Sequence, residues 1–300
     1  MQEKIIIVDS SSVVHRNYHG YPAKYSTVNE SQININTLYG YINYIHKVSQ
    51  EFEFDHLIHV LDPKEGSAYR KSIYPLYKAN RPPTPEDLTI QKELLPTVLD
   101  AFSQRWVQIP GIESDDIIST LAHRHADRGD YVLVLTPDKD LLQLVEDGRI
   151  CVAKYVDSPY AKRTGISQKV HDIYEEIGVY QKLGVHPHQV ADFLALIGDV
   201  SDNIIGVKNI GDKKAAKLLA EYGDIESIIT HSASIKGKIG QDIRNALEIM
   251  PLMKKLTLTL RDVAVPEISE IIPVQNKILN YEVRNWLKAK PEWSDNLIYD

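Results

Sequence analysis

Three largely apolar runs, each ending at or just before an aspartate, most constrain what this chain can fold into. Ile5-Ile6-Ile7-Val8 runs into Asp9, Leu57-Ile58-His59-Val60-Leu61 into Asp62, and Tyr131-Val132-Leu133-Val134-Leu135 is followed by Asp138. Such runs read as strands buried on both faces, the inner strands of a parallel sheet. A parallel sheet gathers the carboxyl ends of its strands along one edge, and ligands bind there. Further acids stand at Glu113, Asp115 and Asp116, beside Asp138 at Asp140, and at Asp199 and Asp202. Nine carboxylates collected at one site would repel one another strongly unless cations lay between them. The pattern implies two Mg²⁺-like ions.

The 300 residues suffice for a sizeable core, in one large domain or two unequal ones. Met1-Gln2-Glu3-Lys4 leads straight into a four-residue apolar run, too short for a signal peptide or a membrane span. The single cysteine, Cys151, excludes a disulfide framework and reads as core. A cytoplasmic protein, in contact with the nucleoid and not with a membrane, is expected. The net charge of −7 argues at first against a nucleic-acid partner, but setting aside the nine clustered acids leaves +2. The bases are also concentrated. Arg70, Lys71, Lys78 and Arg81 have no acid among them, and Lys208, Lys213, Lys214 and Lys217 share ten residues with Asp212 alone. Local basic patches decide whether a phosphate backbone is bound.

Strands alternating with helical patterns predict an α/β fold with a mostly parallel central sheet flanked by helices. A helix is expected to about His19, and apolar spacing of three or four predicts another over 33–52. Residues 63–85 carry five prolines, several tyrosines and bases, and read as a mobile, partly helical arch over the sheet edge. Thr84-Pro85-Glu86-Asp87 predicts a helix capped by Thr84. A short strand is expected at 105–109, a helix at 113–128 and a strand at 149–153. Beyond about residue 187 the strand signal fades. The expected organisation is a catalytic α/β domain over 1–185, a helical subdomain over 186–260, and a tail over 261–300 that Trp286 and Trp293 pack onto the body. Trp106 reads as core. His123 and His125 do not share a helical face and read as solvated.

Residues 204–215 form a glycine-punctuated hairpin opening a helix. Gly206 and Gly211 would let the backbone turn tightly and approach a phosphate, and the free N–H groups of the following helix would face the anion. Lys208, Lys213, Lys214 and Lys217 complete a site for backbone phosphates that carries no sequence preference.

With these strings in order, the chain resembles the 5′-nuclease (flap endonuclease) superfamily, most closely the 5′–3′ exonuclease domain of bacterial DNA polymerase I and its free-standing relatives. The strings are Val8-Asp9, Leu61-Asp62, Tyr77-Lys78-Ala79-Asn80-Arg81-Pro82-Pro83-Thr84-Pro85, Gly111-Ile112-Glu113-Ser114-Asp115-Asp116, Thr136-Pro137-Asp138-Lys139-Asp140, Gly198-Asp199-Val200-Ser201-Asp202-Asn203 and the 206–215 hairpin. The resemblance implies a PIN-like α/β fold with a helix–three-turn–helix DNA-binding subdomain. It implies that Asp9, Asp62, Glu113, Asp115 and Asp116 surround a first metal, and Asp138, Asp140, Asp199 and Asp202 a second. Mg²⁺ is the implied ion, with Mn²⁺ as a substitute, and K⁺ the ion that some members hold at the hairpin. Arg70, Lys78 and Arg81 match bases that steer the scissile phosphate, and Tyr77 matches an aromatic that stacks on a base. The implied activity is phosphodiester hydrolysis by a monomer acting on DNA with 5′ ends, flaps or nicks. Asn209 departs from the family pattern by replacing a hairpin glycine, and among non-glycine residues asparagine tolerates positive φ best. Two other functions fit parts of the pattern: a PIN-type ribonuclease, and a DNA-junction binder without catalysis. Capping alone would explain Asp138 or Glu113 singly, but not nine acids in this order.

Overall fold

The computed structural model describes residues 2–28, 30–65, 67–157, 169–271, 273 and 277–287. A six-stranded sheet runs in the order β5 (Arg105–Val107), β4 (His56–Val60), β1 (Lys4–Asp9), β6 (Tyr131–Leu135), β7 (Ile150–Asp157) and β8 (Lys169–Tyr174). Every neighbouring pair is parallel except β7 with β8. In register, Asp9 lies opposite Val60 and Val8 opposite Leu135, so the ends of β4, β1 and β6 are level.

Alternation along the strands explains why the sheet is covered on both faces. Ile5, Ile7, Ile58, Val60, Val132 and Val134 enter one apolar cluster, whereas Ile6, Val8, Leu57, Leu133, Leu135 and Cys151 enter the other. The second face is covered by α1 (Ser10–Gly20), α2 (Asn36–Glu51), α4 (Glu86–Ala101, which follows the short α3, Ala68–Ile73) and the last described helix, α12 (Lys277–Leu287). Trp286 of α12 is packed against this cluster. Trp293 lies outside the described residues. The first face is covered by α5 (Ser114–Asp127) and the helices that follow the sheet: α6 (Glu176–Leu183), α7 (Val190–Ile197), α8 (Asp212–Tyr222), α9 (Ile225–Thr230), α10 (Gly237–Arg244) and α11 (Met250–Thr257). No helix among the described residues is long and apolar enough to cross a membrane.

Several local expectations change. A two-stranded hairpin, β2 (Tyr25–Val28) with β3 (Ser31–Asn34), takes the start of the segment expected to be helical, and α2 begins only at Asn36. β8 was not foreseen, because its residues are mostly polar and half-exposed. Pro85, not Thr84, occupies the N-cap position of α4, without a side-chain cap. His125 is buried, and its Nδ1 is 2.9 Å from Asp130 Oδ2; a nearby carboxylate makes an interior position tolerable. Trp106 is only half-buried and its indole N–H donates to Asp100 Oδ1 at 2.7 Å.

Two glycines fix the entry to the 204–215 hairpin. A Cβ on Gly206 would lie 2.3 Å from the Ile197 carbonyl carbon, and one on Gly198, at φ 80°, would lie 2.5 Å from Gly206 N. Gly206 is therefore required by backbone packing against the end of α7. Gly206→Ala should lower the unfolding free energy by about 1–3 kcal/mol in a urea titration, the usual cost of overpacking. A neutral result would show that the hairpin can move away from α7.

Candidate metal and phosphate site

β1 is where the strand order reverses: the chain builds outward through β4 and β5 on one side, then through β6 and β7 on the other. Such a switch point opens a crevice at the carboxyl ends of the strands. Asp9, Asp62 and Asp138 stand at or just after the ends of β1, β4 and β6. Asp9 caps α1, accepting from Ser12 N–H (3.1 Å), and also accepts from Thr136 Oγ1 (2.7 Å). Asp62 Oδ1 accepts the Ser114 N–H (2.7 Å), which ties β4 to the first turn of α5 and brings Asp115 to the same edge. Asp138 Oδ1 accepts the Asp140 N–H (2.9 Å).

These carboxylates feel one another. Burial pushes Asp9 up to about 6 against the lowering bonds from Ser12 and Thr136, and the Asp62 charge adds to the rise. Burial, then the charges of Asp138, Asp9 and Asp62, hold Asp115 well above the usual carboxylate range. Asp140 is pushed up to about 8 by burial and by Asp138, with Lys139 opposing. Its Oδ1 is buried with no hydrogen-bond partner. Crowded carboxylates that raise one another, with one oxygen orphaned, fit a divalent cation. Among the described residues no three acids or histidines are already drawn in tightly enough to enclose an ion.

The other acids are neutralised by bases. Arg70 is 3% exposed, and all five of its N–H groups are used. Nη1 donates to Glu113 Oε2 and Asp116 Oδ2 (both 2.7 Å), Nη2 to Asp116 Oδ1 (2.8 Å) and the Leu258 carbonyl (3.1 Å), and Nε to the Leu256 carbonyl (2.9 Å). Asp116 Oδ1 also accepts the Leu260 N–H (2.9 Å). Arg70 is thus engaged inside the protein, and Asp116 with it, an arrangement different from the phosphate-steering base and open metal ligand expected of them. The fork of a guanidinium matches a carboxylate bidentately, which makes interior burial of the pair possible. Tyr77 is 3% exposed and its hydroxyl donates to Asp202 Oδ2 (3.0 Å), so its ring packs in the core and does not face solvent as a stacking platform would.

Lys78 and Arg81 do reach the cleft. Lys78 Nζ lies 2.6 Å from Glu113 Oε1 and 3.9 Å from Asp202 Oδ2, and Arg81 pairs with Asp202 Oδ1. Burial acts to lower Lys78, but Glu113, Asp202 and Asp115 outweigh it and hold the ammonium charged. Asp199 is held below the ordinary carboxylate range: burial works against this, but bonds from Ser201 and Lys139 prevail. The cleft, of about 550 Å³, is lined by Asp62, Glu113, Asp115, Asp138, Lys78 and Arg81, and also by His15, His19 and Lys92. These last three were missed, although His15 and His19 stand one helical turn apart just after Asp9, a spacing that marks a shared face.

At the hairpin, Lys208, Lys213, Lys214 and Lys217 are exposed, as is Gly211, where an added Cβ would meet open space. Asn209 adopts φ 59°, its amide donates to Asp242 Oδ2 (2.9 Å), and its carbonyl accepts from Lys214 Nζ (2.7 Å).

The family description "5'-3' exonuclease, N-terminal resolvase-like domain" matches residues 4–184, and "5'-3' exonuclease, C-terminal SAM fold" matches residues 185–277. DNA polymerase I of Caldicellulosiruptor bescii is 33% identical over 96% of this chain, and that of Mycobacterium tuberculosis 32% over 90%. The chain spans 31% and 29% of the length of those polymerases. In fold, it is similar to T5 5′-exonuclease with zinc bound, at TM-score 0.67 and 21% identity, covering 95% of this chain and 99% of that one. The catalytic core of Rad2 in complex with DNA substrate aligns at TM-score 0.56 and 15% identity, over 100% of this chain and 93% of that one. On the two consecutive family matches, which run from residue 4 to residue 277, the chain belongs to the 5′–3′ exonuclease family.

Proposed function

We propose that this chain is a structure-specific 5′ nuclease that hydrolyses phosphodiesters in 5′-ended, nicked or flapped DNA by a two-metal mechanism. The observation that carries the reading is the crowding of buried carboxylates at the carboxyl edge of the sheet: burial, then neighbouring acids, raises Asp9, Asp115 and Asp140, and Asp140 Oδ1 is unpartnered. Asp9, Asp62, Asp115 and Asp138 would hold one Mg²⁺, and Asp138, Asp140, Asp199 and Asp202 a second. Bound there, the ions, or Mn²⁺ in their place, supply Lewis acidity and an activated water. Glu113 and Asp116 hold Lys78 and Arg70 in place from the other side. Lys78 and Arg81 draw the phosphate into a cleft that carboxylates alone would close to it. Residues 1–185 would form the catalytic part, with the arch at 63–85. Residues 186–260 would grip duplex DNA through the hairpin lysines, and 261–300 would form the tail. A K⁺ ion at the hairpin would compete with Lys214 Nζ, which donates to the Asn209 carbonyl.

Cleavage of a 5′-labelled DNA flap in Mg²⁺ tests the reading, with Ca²⁺ and the matching RNA flap as controls. Cutting near the junction in Mg²⁺ alone is expected. Tight binding without cutting would make the protein a junction binder, and equal cutting of RNA would make it a ribonuclease. Lys78→Ala should lower single-turnover rate by about a hundredfold, as loss of an electrostatic donor to the developing charge does, with less than tenfold loss of affinity. Equal losses in both would reduce Lys78 to a phosphate anchor.

A further inference from the structure

Ser10, Tyr41, His59 and Gln104 are polar, yet none of the four is more than 1% exposed. They come from α1, α2, β4 and the turn before β5. Ser10 Oγ lies 2.7 Å from Tyr41 Oη, Tyr41 Oη 2.7 Å from His59 Nδ1, and His59 Nε2 3.3 Å from Gln104 Oε1. The far end of this row fixes its polarity. Gln104 Nε2 donates to the Phe102 carbonyl (2.9 Å), which leaves Gln104 Oε1 to accept. Burial pushes His59 down to about 4, against the Gln104 bond, so at neutral pH the ring is uncharged and carries one proton. That proton sits on Nε2, facing Gln104, and Nδ1 accepts. Tyr41 therefore donates to His59, and Ser10 donates to Tyr41. One hydrogen-bonded relay runs from the first residue of α1 to the Phe102 carbonyl.

Such a network adds little to stability, because a buried hydrogen-bonded pair and an apolar pair of the same shape are nearly equal in energy. A fully satisfied network does impose one geometry. The geometry imposed here belongs to the carboxyl edge of the sheet. Ser10 follows Asp9, and His59 lies opposite Val8 in register, three residues before Asp62. Beside the relay, Ser11 Oγ accepts the Asp62 N–H (3.0 Å), a second tie between the start of α1 and the end of β4. We propose that the relay is a positioning device that sets the spacing between Asp9 and Asp62, so that both carboxylates reach one divalent cation. The inference rests on the metal site of the 5′ nuclease reading. Asp9 accepts from Ser12 and Thr136, and Asp62 from Ser114, all of them uncharged donors close to the backbone. Where the two carboxylates stand then follows from the strand ends that carry them, and the relay holds those ends together.

Mn²⁺ uptake by the metal-free full chain, followed through the paramagnetic resonance of the free ion, tests the relay. Tyr41→Phe cuts both central bonds. Ser10→Ala removes one oxygen and leaves the Tyr41–His59 bond in place, so it decides the matter if Tyr41→Phe does not fold. Each should weaken Mn²⁺ binding about tenfold, the low end of what groups behind a metal ligand contribute. The double variant should bind no more weakly than Tyr41→Phe, because both substitutions cut the same link. Nitrogen NMR of the wild-type chain should show His59 protonated at Nε2 and bare at Nδ1. A proton on Nδ1 would reverse the relay and overturn it. Losses that add in the double variant would also overturn it, as would urea midpoints that fall while Mn²⁺ uptake stays equal to wild type, the mark of a purely structural network. A wild-type chain that takes up no Mn²⁺ would sink the metal site and the relay's role together, whereas equal uptake by wild type and variants sinks the relay alone.

Discussion

Arg70→Ala is expected to lower the unfolding free energy by about 3–5 kcal/mol, the usual consequence of removing one partner from a buried ion pair. The substitution strands Glu113 and Asp116, which are 5% and 1% exposed, and leaves the Leu256 and Leu258 carbonyls without their donor. The pair itself is worth less than this loss, because its desolvation offsets much of its attraction. Arg70→Met combined with Asp116→Leu should therefore recover most of the stability. Urea unfolding of the single and double variants measures both effects. A single-variant loss below about 1 kcal/mol would mean that water reaches the guanidinium and that the contacts to 256–260 hold without it.

Asp115→Asn is expected to act in opposite directions on activity and on metal-free stability. Cleavage should fall about a thousandfold, the rate equivalent of roughly 4 kcal/mol of lost charge stabilisation. Stability in EDTA at pH 8 should rise, because the substitution removes a charge that Asp138, Asp9 and Asp62 oppose. The pH dependence has a definite sign. Asp9 at about 6, Asp140 at about 8 and Asp115 well above 3.8 bind protons in the folded state at pH values where the unfolded chain has released them. Metal-free stability is then greatest at the acid side of this window. It falls as pH rises from about 4, the unfolded value, to about 8. Thermal melts in EDTA across that range should show the decline, Mg²⁺ should flatten it, and Asp115→Asn should reduce it. Melting temperatures rising with pH in EDTA would show that the acids are held by bases and not by one another.

The framework was legible because its signals are local. Continuous apolar runs at 5–8, 57–61 and 131–135 admit few arrangements other than inner parallel strands, and their terminal aspartates then meet at one edge. Asn209 was readable for the same reason, since positive φ is a property of a residue and its turn. The misreadings lie where a distant segment decides. Arginine and histidine are surface types by composition, yet Arg70 and His125 are interior because acids from elsewhere in the chain, or across a turn, receive them. Tyr77 matches a base-stacking aromatic by its string, but its hydroxyl is taken by Asp202 of the distant 199–204 turn. The β2–β3 hairpin and β8 escaped notice because short, polar strands carry almost no periodic signal.

The level ends of β4, β1 and β6 also set a schedule for the growing chain. Asp62 is made some fifty residues after Asp9 and can meet it once β4 pairs with β1, but Asp138 and Asp140 join them only when β6 has been made and inserted on the other side of β1. Pairing strands so far apart in sequence is slow, because the loops between them must close first. A nascent chain stopped before residue 131 therefore carries Asp9, Asp62 and Asp115 without Asp138, Asp140, Asp199 or Asp202. On the two-metal reading, ion capture would be a late event in the life of the molecule, and the uptake of a divalent cation would report that β6 is in place.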